Sequence, residues 1–164
     1  EAAGLVLPGV AAFGYAMEAL GDAAEPVKQA AAAGKPILGI CVGHQLLFDE
    51  SEEYGPHKGL GLIQGRVVPI PAGQTVPHMG WNLVELPKDM DLFVDLGPAK
   101  HFYFAHSYYA RVSDSQARTA LVDYGSPLTA SVQKGNIYGV QFHPEKSSTQ
   151  GLQVLKNFHE ICRR

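Results

Sequence analysis

Gly39-Ile40-Cys41-Val42-Gly43-His44-Gln45 sets a cysteine two residues from a glycine on either side. The run Pro36-Ile37-Leu38-Gly39-Ile40 before it reads as a short strand buried on both faces, and Gln45-Leu46-Leu47-Phe48 reads as the start of a helix. Cys41 then sits in the turn between them. A nucleophile on so sharp a strand-to-helix turn takes an unfavourable backbone conformation, and neighbours without side chains let strand and helix approach closely. This is the thiol counterpart of the Gly-x-Ser-x-Gly elbow. A helix N-terminus favours thiolate over thiol, and the backbone N–H of Val42 is expected to face an oxyanion formed on an attacked carbonyl. A core cysteine in a Gly-rich strand end is the plain alternative. The second informative stretch is Gln141-Phe142-His143-Pro144-Glu145. In an extended segment residues two apart point the same way, so His143 and Glu145 share a side while Pro144 stiffens the link. Thiol, imidazole and carboxylate make a nucleophile, base and orienter: His143 takes the thiol proton and later protonates a leaving amine, while Glu145 fixes its tautomer. Alone, His-x-Glu reads as a surface histidine.

The elements that must carry these groups are legible around them. Leu5-Val6-Leu7 is a short strand running into the loop Pro8-Gly9-Val10-Ala11-Ala12-Phe13-Gly14, and such a loop at a strand's C-terminal end is where open α/β sheets place ligands. The N–H of Val10 is the natural second oxyanion donor; a plain strand-to-helix turn is the alternative. Helices are expected over Tyr15–Leu20 and Glu25–Ala33, with Pro26 tolerated in a first turn and Gly34 closing the second helix before the cysteine strand. Strand, helix, strand, helix implies a right-handed crossover and a parallel sheet. A doubly wound domain rarely begins at the strand carrying such a loop, so a preceding strand and helix are expected outside this chain. Asp49–Lys58 is polar and Arg66-Val67-Val68 is strand-like. Val76-Pro77-His78-Met79-Gly80-Trp81-Asn82 reads as a loop with Trp81 as core anchor, or as a partner-binding edge, because tryptophan is enriched at interface hot spots. Lys100–Phe104, His106–Arg111, Thr119–Val122 and Leu128–Gln133 are strand candidates in close succession, which suggests antiparallel strands added to the sheet. The last helix is expected over Ser148–Cys162, with Leu152, Leu155 and Phe158 as its buried stripe.

Totals bound the function. A chain of 164 residues suffices for one domain, read here as spanning 1–164. A net charge of −3, with no run of Lys or Arg to neutralise phosphates, argues against nucleic-acid binding. No apolar stretch reaches the roughly 18 residues of a membrane span. The two cysteines, Cys41 and Cys162, make no disulfide framework and suit a reducing cytoplasm, and the seven histidines show no metal-ligand spacing.

Leu5-Val6-Leu7-Pro8-Gly9-Val10, the cysteine elbow and Gln141-Phe142-His143-Pro144-Glu145 together resemble the class I (triad) glutamine amidotransferases, in that family's order and spacing. The resemblance implies a flavodoxin-like α/β domain, a mainly parallel sheet with helices on both faces plus added antiparallel strands, that hydrolyses glutamine to glutamate and ammonia without a cofactor. It implies Cys41 as nucleophile, His143 as base and Glu145 as orienter. Gly9, Val10 and Val42 then belong to the oxyanion hole, and Gln45, Ser107 and Tyr108 hold glutamine. More narrowly, Val76 to Asn82 and Phe102-Tyr103-Phe104-Ala105-His106-Ser107-Tyr108 are similar to the glutaminase subunits of imidazole glycerol phosphate synthase. That likeness implies a (β/α)8-barrel cyclase as partner, facing Pro77, His78, Met79, Gly80, Trp81 and Asn82, and an interior route for ammonia. The family usually has glycine at Ala11, where a Cβ restricts the rotation that completes the oxyanion hole. His44 stands where the subfamily has methionine and is similar instead to the glutaminase subunits of anthranilate and aminodeoxychorismate synthases. A chorismate-using partner, a non-catalytic assembly module and a cysteine peptidase are the competing readings; the peptidase leaves Gln45 without a purpose.

Overall fold

The structure, a computed structural model, describes residues 1–164. In chain order its elements are β1 (Leu5–Leu7), α1 (Phe13–Leu20), α2 (Ala24–Ala32), β2 (Ile37–Ile40), α3 (Val42–Gln45), β3 (Phe48–Ser51), β4 (His57–Lys58), β5 (Ile63–Pro69), β6 (His78–Glu85), β7 (Ala99–His106), β8 (Tyr108–Val112), β9 (Arg118–Asp123), β10 (Pro127–Lys134), β11 (Ile137–Val140) and α4 (Ser148–Cys162).

Strand β2 is buried at every position because it lies between two apolar layers. Alternate side chains leave opposite faces of a strand. Ile37 joins Val27 and Ala31 of α2 and Phe48 and Ile63 of the second sheet, whereas Leu38 and Ile40 join Phe158 and Ile161 of α4 on the other side. A strand covered on both faces reads as a continuous apolar run, as this one does. It pairs in parallel with β1 (Leu5↔Ile37 to Leu7↔Gly39) and with β11 (Ile37↔Ile137 to Ile40↔Val140). The whole seven-stranded sheet runs β1-β2-β11-β10-β9-β6-β7, and a separate four-stranded sheet runs β4-β3-β5-β8. The flavodoxin-like α/β reading stands, with the added antiparallel strands making up the larger part of the main sheet: β10, β9, β6 and β7 continue it through antiparallel pairs only. The chain passes from one sheet to the other at Ser107, between the last residue of β7 and the first of β8.

Helix α2 ends as Gly34 predicts: that residue takes φ +85°, and the N–H groups of Gly34 and Lys35 return to the carbonyls of Ala31 and Ala30 at 3.0 Å. Helix α4 has the expected bounds but a different stripe. Val154, Phe158 and Ile161 are buried and Leu155 packs against the same core, so Leu155 and Phe158 of the expected stripe hold; Leu152 is 57% exposed, and Val154 takes its place on the i, i+4, i+7 series that faces the sheet. The elbow helix is also shorter than expected. It stops after Gln45, and Phe48 begins a strand, captured by a parallel pairing with Ile63 of β5. The Pro77–Asn82 stretch is mostly strand β6 and not a loop, and Trp81 is 52% exposed, so it anchors no core. No helix is long and apolar enough to cross a membrane.

Candidate active site

Cys41 occupies the turn between β2 and α3 with φ 55° and ψ −112°, a conformation that costs an L residue energy and persists only where the surroundings fix it. They fix it here. A Cβ on Gly39 would strike the Gly43 carbonyl, and a Cβ on Gly43 would strike the Leu7 carbonyl, so both glycines exist to let β1, β2 and α3 meet. The Cys41 N–H continues the β2–β11 ladder to the Val140 carbonyl at 2.9 Å.

That ladder brings in the second motif. Parallel neighbours leave the sheet at the same end, so Cys41 after β2 and Gln141, Phe142 and His143 after β11 emerge side by side. Gln141 Nε2 lies 3.9 Å from Cys41 Sγ, and the Glu145 carboxylate is near enough to act on the thiol's ionisation. His143 is 3% exposed and is pinned through its backbone. Its N–H donates to the Tyr103 carbonyl at 2.9 Å, and its carbonyl accepts from the Ser147 hydroxyl at 2.6 Å. Nδ1 lies 2.8 Å from Glu145 Oε1. A carboxylate accepts, so the proton sits on Nδ1 and the Nε2 lone pair is left for a base. The pairing arises differently from the sequence expectation: Pro144–Lys146 is a 3₁₀ turn, not an extended segment, and the turn folds Glu145 back onto the ring.

Two expectations about the thiol and the oxyanion hole are corrected. Cys41 is 7% exposed, and its thiol is pushed up to about 11, first by burial; the Val42 N–H pulls the other way and loses. The four-residue helix α3 does not make a thiolate. The Val42 N–H, meanwhile, donates to the Gly9 carbonyl at 3.3 Å, so that oxygen stands where an oxyanion was expected. Turning over the Gly9–Val10 peptide would replace this C=O by the Val10 N–H. Gly9 has φ +153°, and a Cβ there would press on the Val42 side chain at 2.9 Å, so glycine keeps that rotation open.

A cleft in front of Cys41 is lined by Val10, Val42, Gln45, Ser107 and Tyr108, as expected, together with Pro77 and Met79 at the β6 end. Of the stretch expected to face a partner, Met79 and Trp81 are exposed, whereas His78 is 3% exposed and faces inward. Gln45 Nε2 donates to the Tyr108 carbonyl at 3.1 Å and to Gln141 Oε1 at 3.0 Å. Among the lining and neighbouring residues to which the sequence assigns no role are Glu53, Tyr54, His106 and Gln141. Glu53 accepts the Phe13 N–H at 2.7 Å and borders the cleft, although its segment reads only as polar. No group of three or more His, Cys, Asp or Glu side chains is placed to hold a metal.

A cysteine elbow beside a histidine–carboxylate pair at the C-terminal edge of a parallel core is suited to acyl transfer through sulfur, and the chain belongs to the class-I glutamine amidotransferase family, whose model matches residues 2–161. Its relatives narrow the comparison. It is 48% identical to the imidazole glycerol phosphate synthase subunit HisH of Desulfitobacterium hafniense over 157 residues, covering 94% of this chain and 74% of that one. To the protein of the same name from Lacticaseibacillus casei it is 53% identical over 164 residues, 98% of this chain and 78% of that one. Among solved structures, a glutamine amidotransferase shares the fold at a TM-score of 0.73 and 21% identity, covering 99% of this chain and 80% of its own.

Proposed function

We propose that this chain is the glutaminase subunit of imidazole glycerol phosphate synthase and that residues 1–164 work as one amidotransferase domain. The observation that carries the chemistry is the adjacency of the strained Cys41 turn to the β11 exit that delivers His143 and Glu145.

With glutamine in the cleft, His143 Nε2 takes the Cys41 proton and Glu145 stabilises the imidazolium that forms. The thiolate attacks the side-chain amide carbon. The oxyanion is met by the Val42 N–H and, once the Gly9–Val10 peptide has turned, by the Val10 N–H. The C–N bond breaks as the imidazolium returns its proton to nitrogen, and ammonia leaves. Water, deprotonated by the same imidazole, then cleaves the γ-glutamyl thioester to glutamate and free thiol. Ser107, Tyr108 and Gln45 hold the substrate. In the resting state the Gly9 carbonyl takes up the Val42 donor, which supports low turnover until a partner rearranges the loop.

The partner on this reading is a (β/α)8-barrel cyclase in a cytoplasmic heterodimer with lyase activity, and ammonia passes to it inside the protein, where it stays unprotonated. Support for its docking face comes from β6: Met79, Trp81 and Leu83 are 63%, 52% and 46% exposed at alternate positions, hence on one side of the strand, and Pro77 and Met79 also border the cleft. Cys41→Ala in the complex is expected to abolish synthesis from glutamine and to leave synthesis from added ammonium salt intact. Loss of both would give Cys41 a structural role instead.

A further inference from the structure

His78 and His106 stand directly opposite each other in the β6–β7 ladder, and both are buried. Nδ1 of His78 is 2.9 Å from Nε2 of His106. At one end of the pair His106 Nδ1 lies 2.8 Å from the Tyr108 carbonyl; at the other, His78 Nε2 lies 3.2 Å from Asn82 Nδ2.

The ends determine the protons between them. A carbonyl only accepts, so His106 donates from Nδ1. Asn82 is fixed by its own backbone contacts, because Oδ1 accepts the Leu83 N–H at 2.8 Å and Nδ2 donates to the Asp123 carbonyl at 3.0 Å. Nδ2 therefore donates to His78 Nε2 as well. His78 accepts at Nε2, carries its proton on Nδ1 and donates to the bare Nε2 of His106. One assignment satisfies every bond: all of them point from Asn82 towards Tyr108, and both rings are neutral. A proton added to either ring would set two N–H groups against each other. Burial favours the same state, lowering both imidazoles to about 4. The His78 ring is further fixed by stacking on Phe104 and Tyr124, with centroids 4.7 and 4.1 Å away.

The Tyr108 carbonyl is where this run reaches the cleft. The same oxygen accepts from Gln45 Nε2, whose second hydrogen goes to Gln141 Oε1. With both amide hydrogens engaged, Gln45 offers its Oε1 as an acceptor. We propose that His78 and His106 are positioning residues for glutamine, fixing the Tyr108 carbonyl and through it the Gln45 amide in the orientation that accepts from the substrate. The inference rests on the glutaminase reading and adds to it a specificity device that acts on the substrate through Gln45.

Two polar substitutions separate the bonds of His106. An asparagine amide nitrogen falls near the Nδ1 position and keeps the donor to Tyr108; a glutamine amide falls near Nε2 and keeps only the side facing His78. In the complex with its cyclase, His106→Gln is expected to raise KM for glutamine by about tenfold, the scale of one lost hydrogen bond, with kcat within about threefold of wild type. His106→Asn is expected to return KM to within about threefold. Equal KM values in the two variants, or a fall in kcat with KM unchanged, would overturn the relay while leaving glutaminase activity in the wild type. A wild-type complex that hydrolyses no glutamine would overturn the glutaminase reading and the relay together.

Discussion

Burial raises the Cys41 thiol to about 11, and the charges of Glu145 and Glu53 push the same way, against the lowering influence of the Val42 N–H and Lys146. The resting residue is therefore an uncharged thiol that needs a base at the moment of attack, which on the proposed reading is His143. His44 poses the opposite problem. It is wholly buried, neither ring nitrogen has a hydrogen-bond partner, and burial, with the nearby His106, lowers its imidazole from the ordinary 6.5 to about 3. Since the folded values of His44, His78 and His106 lie below 6.5, the unfolded chain binds more protons as pH falls. Their contribution to stability is complete above about pH 6.5 and is lost on acidification through about 4 and, for His44, about 3. His44→Met removes two unsatisfied buried groups and is expected to stabilise the chain by about 1–3 kcal/mol at pH 7. It should also flatten the decline below pH 6.5, as read by urea unfolding at several pH values. A destabilised variant, or an unchanged pH slope, would show that His44 has a polar partner in solution.

At the level of elements, the elbow depends on close backbone approach. Gly43→Ala would drive a methyl into the Leu7 carbonyl across the β1–α3 contact, whereas Gly34, at φ +85° beyond α2, faces open space. Denaturant unfolding is expected to show a loss of about 3 kcal/mol or more for Gly43→Ala and of about 1–2 kcal/mol for Gly34→Ala, the cost of a left-handed conformation alone. Equal losses would contradict the packing argument. The sequence discloses this turn because glycine spacing is a local signature of backbone strain, and it discloses His143 and Glu145 because they sit two apart. It hides whatever depends on distant pairing. Leu46, Leu47 and Phe48 are all buried, so their pattern has no period that could separate helix from strand, and only β5 decides it. The His78–His106 pair is set by the register of β6 on β7, 28 residues apart, and leaves no local mark. In α4 residue type and position disagree at one place: Leu152, the more apolar-looking choice, faces solvent, and Val154 faces the sheet.

Across the whole molecule, the site lies where the two sheets meet: β7 leaves the main sheet at His106, β8 enters the small one at Tyr108, and Cys41 faces that crossing from β2. The exposed side of β6 adjoins the same cleft, so on the proposed reading a partner seated there would cover the place where ammonia is released. Trp81 is half exposed, and its ring meets that of Tyr103 edge-on, at 6.1 Å between centroids. On the proposed reading, Trp81→Ala weakens binding of the cyclase by about 2 kcal/mol, close to thirtyfold, and alters the stability of the isolated chain by no more than about 0.5 kcal/mol. Titration calorimetry and urea unfolding check the two halves; unchanged affinity would move the docking face elsewhere. A covalent intermediate on Cys41 is detected by mass spectrometry of the complex quenched in acid during glutamine turnover. A γ-glutamyl thioester is expected on the peptide containing Cys41 and is expected to be absent from Cys41→Ala. Steady glutamate production with Cys41 unmodified, or an adduct on Cys162 alone, would rule out Cys41 as the nucleophile.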